Sequence, residues 1–192
     1  MKQLLIINGN PNKNSFNYAL SEAYKAGAYA TECAISQINI ADLQFNPNLQ
    51  YGYTQRMELE PDLVDTIEKI KKADHIVWVF PVWWFGLPAL MKGFIDRTFL
   101  PGITYQPIEG KALPEKLLKG KTARVIITSD TPKWYNYLFM KSPVIHQFKK
   151  GTLEYCGISP VKITYISPIN GSDLKFREDW LKKITQLGLK LN

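Results

Sequence analysis

Short apolar runs that read as strands alternate along this chain with longer stretches in which apolar residues recur at helical spacing. Strict alternation leaves few architectures: consecutive strands lie parallel, and right-handed crossovers carry the helices over the faces of one sheet. The pattern predicts strands over 2–7, 31–40, 75–80, 122–128 and 161–166. Phe16, Ala19, Leu20 and Ala23 share one helical face, as do Leu63, Val64, Ile67 and Ile70 behind Pro61, a favourable first-turn residue. Met91, Phe94, Ile95, Thr98 and Phe99 follow at i, i+3, i+4, i+7 and i+8, the stripe of a core-facing helix. Ser142-Pro143 predicts an N-cap with proline at N1, Ile145, Phe148, Thr152 and Leu153 face inward, and Gly157 ends that helix. Phe176, Trp180, Leu181, Ile184, Leu187 and Leu191 mark the last one.

Strand chemistry orders the sheet. The first, third and fourth strands are nearly continuous apolar runs, as expected where helices cover both faces. The second alternates Ala34, Ser36, Ile38 and Ile40 with Ile35, Gln37 and Asn39, and the fifth sets Val161, Ile163 and Tyr165 against Lys162 and Thr164. Alternating strands belong at edges, so the expected order is 2-1-3-4-5, with its switch point between strands one and three. The fold class is α/β, a five-stranded parallel sheet in a single domain over 1–192.

No run reaches membrane-spanning length, and Leu4-Leu5-Ile6-Ile7 is too short for a signal h-region, so a cytoplasmic protein without membrane insertion is expected. Two cysteines, Cys33 and Cys156, lack metal-ligand spacing and read as buried inert thiols; with two histidines, no metal site is expected. The net charge of +7 is spread over scattered pairs such as Lys71-Lys72, Lys149-Lys150 and Lys182-Lys183. That reads as solvation of helix faces, and no nucleic-acid partner is expected without a clustered stripe or module.

Between the third strand and its helix stands Pro81-Val82-Trp83-Trp84-Phe85-Gly86-Leu87-Pro88. Neither periodicity can hide three consecutive large aromatics there. The loop leaves the carboxyl end of a strand at the switch point, where open α/β sheets bind ligands, and such exposed aromatics suit a flat guest. The first loop, Asn8-Gly9-Asn10-Pro11-Asn12-Lys13-Asn14-Ser15-Phe16-Asn17, feeds a helix whose first amides lack intrahelical partners. Alone it reads as a turn with Ser15 as an ordinary N-cap; beside the aromatic loop it reads as an anion site with Ser15 and Asn17 as added donors. It contains neither G-x-G-x-x-G nor the P-loop pattern. A third loop runs Thr128-Ser129-Asp130-Thr131-Pro132-Lys133-Trp134-Tyr135.

Asn14-Ser15-Phe16-Asn17-Tyr18-Ala19, then Phe80 through Ala89 with Lys92-Gly93, and later Tyr155-Cys156-Gly157, resemble the NAD(P)H:quinone oxidoreductase family of flavodoxin-like proteins, in order and over nearly the whole chain. The resemblance implies a three-layer flavodoxin-like sandwich and a flavin. Carried over by position, Asn10, Ser15, Phe16 and Asn17 hold the phosphate and ribityl groups, while Val82, Trp83, Trp84 and Phe85 contact the ring. Pro81, Thr128, Ser129 and Asp130 complete the cofactor-binding set. Where the best-known members carry threonine-glycine-glycine, this chain resembles a bacterial NAD(P)H-dependent flavin oxidoreductase branch with aspartate-threonine-proline. A carboxylate beside an anionic reduced flavin is unfavourable, so Asp130 is expected to point away or accept backbone amides. The extended carboxyl-terminal segment of larger relatives has no counterpart, which tilts the expectation to FMN, with FAD the alternative.

The implied activity is two-electron hydride transfer from NAD(P)H through the flavin to a quinone or related flat acceptor, in ping-pong alternation at one flavin face. Relatives place a tyrosine and a histidine near the acceptor, matched here by Tyr135 and His146 as catalytic candidates. His146 lies off its helix's core stripe and reads first as a solvated surface residue, with the catalytic role second; His75, at the far end of the third strand, reads as structural. Trp134, Tyr135 and Tyr137 also suit a subunit interface, and the family implies a homodimer. The alternatives are an electron-carrier flavodoxin, an ancillary regulatory subunit of a membrane transporter, and a homologue that has lost flavin.

Overall fold

The computed structural model describes residues 1–191. Seven strands lie along them: β1 (Lys2–Asn8), β2 (Cys33–Asn39), β3 (His75–Pro81), β4 (Tyr105–Gln106), β5 (Glu115–Lys116), β6 (Thr122–Thr128) and β7 (Val161–Ile166). Five form one parallel sheet in the order β2-β1-β3-β6-β7, the expected 2-1-3-4-5 with edge strands where alternation placed them. The short β4 and β5 pair with each other in an antiparallel ladder that periodicity did not signal.

The helices are α1 (Phe16–Ala28), α2 (Pro61–Lys72), α3 (Ala89–Thr98), α4 (Lys133–Leu138), α5 (Pro143–Ile145) and α6 (Leu174–Leu189). Successive strand side chains point to opposite faces, and the core divides accordingly. Leu5, Ile7, Trp78, Phe80, Val125 and Ile127 meet Leu63, Ile70, Met91, Phe94 and Phe148 on one side. Leu4, Ile6, Val77, Val79 and Ile126 meet Leu20, Tyr24 and Ile184 on the other. Helices therefore cover both faces, which is why β3 is buried along its whole length. On the α1–α6 side the backbones approach closely through two glycines. A Cβ on Gly27 would lie 2.0 Å from the Thr185 carbonyl oxygen, and one on Gly188 would lie 2.1 Å from that of Tyr24.

Several local expectations need correction. Val64 is exposed, and Thr66 takes the buried place on α2, because the helix turns its Leu63, Thr66, Ile67 and Ile70 face inward. The second strand is shorter than 31–40, and Cys33 is only half-buried, accepting from Thr31 Oγ1 at 3.1 Å. The helix after Ser142 begins at Pro143, but His146–Glu154 is π-helical. Ser142 is in the left-handed region at φ 51° and makes no side-chain cap; its Oγ instead accepts from Asn136 Nδ2. The last helix ends at Leu189, before Leu191, which has a positive φ.

Arg97, wholly buried on α3, holds the long connection across residues 43–60. Its guanidinium donates to the carbonyls of Asn46 and Glu58 at 2.6 and 2.7 Å and grips the Glu60 carboxylate with both terminal nitrogens. Burial pushes the Glu60 pKa up, yet the Asn46 amide, its own amide and Arg97 together hold it below the usual carboxylate value. His75 is structural, as expected. Its Nδ1 lies 2.7 Å from Thr122 Oγ1 and its Nε2 3.3 Å from the Tyr24 hydroxyl. Burial, with Arg124, Lys2 and Lys162 nearby, depresses its pKa to about 4.

Candidate functional site

The loop after β1 is held by its own asparagines. Asn8 Oδ1 accepts the Asn10 amide at 3.0 Å, Asn10 Oδ1 the Asn12 amide at 2.9 Å, and Asn12 Oδ1 the Asn14 amide at 2.9 Å. Three successive Asx turns thus carry the chain from the sheet to the start of α1 without regular structure. Alternating asparagines were the visible signal for this. Gly9 at the base donates its amide to the Val79 carbonyl at 2.8 Å, and a Cβ there would lie 2.5 Å from Met91 Sδ. Lys13 reaches Asp42, just beyond β2, at 2.5 Å; their hydrogen bond raises the lysine pKa and lowers that of the aspartate.

Ser15 is the N-cap of α1, its Oγ accepting the Tyr18 amide at 3.3 Å. The amides of Phe16 and Asn17 precede the first intrahelical bond and face the loop with the positive end of the helix dipole. The Phe16 ring lies beneath the Arg177 guanidinium at 5.6 Å and packs on the α6 side, so the amide is what it offers the loop. Asn17 is buried. Its Oδ1 accepts from Asn10 Nδ2 at 2.9 Å and Thr128 Oγ1 at 3.1 Å, while its Nδ2 is enclosed with no partner. A buried orphan donor costs about 1–3 kcal/mol, and a polar guest at this end of the sheet would relieve it.

After β3, Val82 stays tied to the sheet by its amide bond to the Thr128 carbonyl at 2.8 Å. Pro81, opposite Thr128, closes the strand and is buried. Trp83 and Gly86 then exchange both backbone hydrogen bonds, at 3.2 and 2.9 Å, around Trp84 and Phe85 at φ 50° and 56°. Two central residues with positive φ define a type I′ turn, which favours asparagine and glycine. Bulky aromatics there each store on the order of 1 kcal/mol of strain. Trp84 is 99% exposed and Trp83 half so. The fold spends stability to present these rings.

The third loop starts from buried Thr128 and Ser129, and Ser129 Oγ accepts the Thr131 amide at 3.1 Å. The Asp130 carboxylate accepts the Asn170 amide at 2.7 Å, the backbone engagement expected of it. Pro132 then opens α4, a short helix that the sequence pattern did not reveal. Tyr135 stacks on Phe139 at 5.3 Å with Trp134 edge-on to both. His146 is exposed at the first π-helical position, its amide bonded to the Ser142 carbonyl. Among the described residues no group of histidine, cysteine and carboxylate side chains is placed to hold a metal. Cys156 is buried, which raises its thiol pKa.

Strand order thus brings the first loop, the aromatic turn and the third loop to one edge of the sheet. A family model described as a flavodoxin-like fold matches residues 2–187. A Haemophilus influenzae protein named an uncharacterized NAD(P)H oxidoreductase is 29% identical over 188 residues, covering 95% of this chain and 92% of its own. NAD(P)H dehydrogenase (quinone) 1 of Cavia porcellus is 25% identical over 198 residues, covering 86% of this chain and 69% of that one. A crystal structure from Streptococcus mutans superposes with a TM-score of 0.87 at 30% identity, covering 98% of this chain and 99% of the other.

Proposed function

The chain belongs to the flavodoxin-like fold family, and from that premise we propose that it is a flavin-dependent NAD(P)H oxidoreductase acting on quinones or related flat acceptors. The observation that carries this reading is the strained turn presenting Trp84 beside a loop whose Asn17 keeps an unpartnered buried donor. A soluble fold gains nothing from either feature alone; a flat cofactor with a polar tail uses both. The names of the relatives in Haemophilus and Cavia support the same class of chemistry.

In this reading the amides of Phe16 and Asn17, the Ser15 hydroxyl and the Asn17 carboxamide hold the phosphate and ribityl end, with Asn10 fixing the Asn17 rotamer. Val82 to Phe85 support the ring by backbone and side chain, and Pro81, Thr128 and Ser129 form the floor beside it. FMN is our choice, with FAD the alternative. When bound, the flavin supplies hydride acceptance from NAD(P)H and hydride delivery to the acceptor. The protein's part is to orient the reactants, exclude water and direct amides to where charge develops. The Asp130 carboxylate is engaged with the Asn170 amide, which gives it a partner other than that charge. Tyr135 stands as the candidate proton donor to the acceptor. His146, exposed on a different element, takes the lesser role.

Ping-pong alternation and a homodimer in a cytoplasmic setting complete the proposal. Steady-state oxidation of NADH and NADPH with menadione or benzoquinone, after adding FMN, tests the activity. Parallel double-reciprocal lines are expected; absence of flavin-dependent turnover with any quinone, azo or nitro acceptor would leave an electron carrier or a transporter's regulatory subunit as the better reading.

A further inference from the structure

Among the described residues, exposed large apolar side chains are most closely spaced along α4 and its exit. Over one short helix and its exit, Trp134, Tyr137, Leu138 and Phe139 are each at least 60% exposed. Trp134 and Phe139 are in contact through Tyr135, and Pro132, Trp134 and Tyr137 continue into an open groove against Pro168. The inward side of α4 offers Asn136 alone, whose amide and side chain bond to Pro132 and Ser142. Hydrophobic burial within the chain therefore does not account for this composition. A contiguous apolar patch on a soluble protein marks a contact surface.

Charge identifies the partner. Residues 131–153 contain no aspartate or glutamate. Lys149 and Lys150 are engaged with Glu154, while Lys133 and Lys141, at the two ends of α4, are exposed and make no ion pair among the described residues. The nearest preceding carboxylate, Asp130, is bonded to the neutral Asn170 amide and keeps its charge, which leaves the lysines in excess. An isologous contact would set this patch against its own copy, with Lys133 and Lys141 on each side and Asp130 the one carboxylate in residues 130–153. An anionic lipid surface meets both features. Tryptophan and tyrosine favour the headgroup boundary, leucine and phenylalanine enter the acyl edge, and flanking lysines meet the lipid charge.

We propose that α4 is a peripheral membrane-docking element, laying Trp134, Tyr137, Leu138 and Phe139 into the interface of an anionic bilayer with Lys133 and Lys141 on its headgroups. No helix of the described chain is long and apolar enough to cross a membrane, so the contact is at the surface. Docking there would turn the carboxyl edge of β6, and with it the candidate flavin site, toward a phase into which apolar acceptors partition.

The test is sedimentation of the full-length protein with phosphatidylcholine vesicles, with or without phosphatidylglycerol. It uses neither flavin nor acceptor, so its outcome is separate from that of the redox assay. Binding to the phosphatidylglycerol vesicles is expected, weakening about fivefold for each of Lys133→Ala and Lys141→Ala and on raising the salt. Leu138→Ser with Phe139→Ser should weaken it further, with far-ultraviolet circular dichroism unchanged. If those two variants do not fold, the lysine variants and the lipid dependence still decide. Failure of the wild type to sediment with phosphatidylglycerol vesicles would overturn the proposal, as would binding equal to wild type in the lysine double variant. So would absence of vesicle binding together with a dimer that Leu138→Ser converts to monomer, which would give the face to a second copy.

Discussion

Thr128, the last residue of β6, donates its hydroxyl to Asn17 Oδ1 in the first turn of α1 at 3.1 Å, across 111 residues of sequence. The bond locks the first loop to the third across the carboxyl edge of β3. It also fixes which way the Asn17 carboxamide faces, leaving Nδ2 without a partner.

That donor should matter more to a guest than to the fold. Asn17→Ala is expected to weaken FMN binding by about tenfold, the effect of one lost hydrogen bond to a polar group. Isothermal titration of flavin-free protein checks this. An unchanged dissociation constant would place Asn17 in the scaffold alone.

The type I′ turn predicts opposite effects on stability and binding. Phe85→Gly removes a left-handed aromatic and should stabilise the flavin-free protein by about 1 kcal/mol in urea unfolding. Trp84→Ala should lower flavin affinity or turnover while the fold is retained, since that ring touches almost nothing in the chain. A Trp84→Ala protein with wild-type affinity and rate would show the ring to be idle.

His75 makes stability depend on acid. Its folded pKa of about 4 lies below the ordinary 6.5, because burial disfavours the imidazolium and Arg124, Lys2 and Lys162 add to that. Between those values the unfolded chain binds a proton that the folded chain does not. Stability should therefore fall as pH is lowered from about 6.5 to about 4 and level off beneath, by about 3 kcal/mol in all. His75→Asn should flatten that slope, measured as urea midpoints across the same range.

Arg97 anchors residues 43–60 through two carbonyls and one carboxylate. Arg97→Met leaves those acceptors facing a thioether and should cost about 3 kcal/mol, the usual effect of breaking a buried ion pair. Hydrogen exchange should quicken first in that connection. Uniform exchange across the chain would mean that Arg97 supports the core as a whole.

The elements legible beforehand are those whose side chains report burial. From Ile76 to Pro81 β3 is apolar at every position because both faces are covered, and Lys162 on β7 is polar because that strand is an edge. The aromatic loop was legible because three rings in a row fit no periodicity. What escaped has no period to read. Arg97 looks like a surface residue of an amphipathic helix, and only the folded connection brings Asn46, Glu58 and Glu60 to it. The left-handed Ser142 and the π-helical His146–Glu154 are backbone decisions set by tertiary packing, so an N-cap reading of Ser142 was natural and incorrect in its hydrogen bond. The short α4 hid within a loop because its exposed face is as apolar as a core.

One measurement reaches the central claim most directly. Purified protein supplied with FMN and freed of excess is held without oxygen, given NADH or NADPH, and then menadione, while its visible spectrum is followed. The account predicts that protein-bound flavin absorbance bleaches with the nicotinamide and returns with the quinone, in one-to-one stoichiometry. A protein that retains no flavin, or whose bound flavin neither nicotinamide reduces, would contradict it.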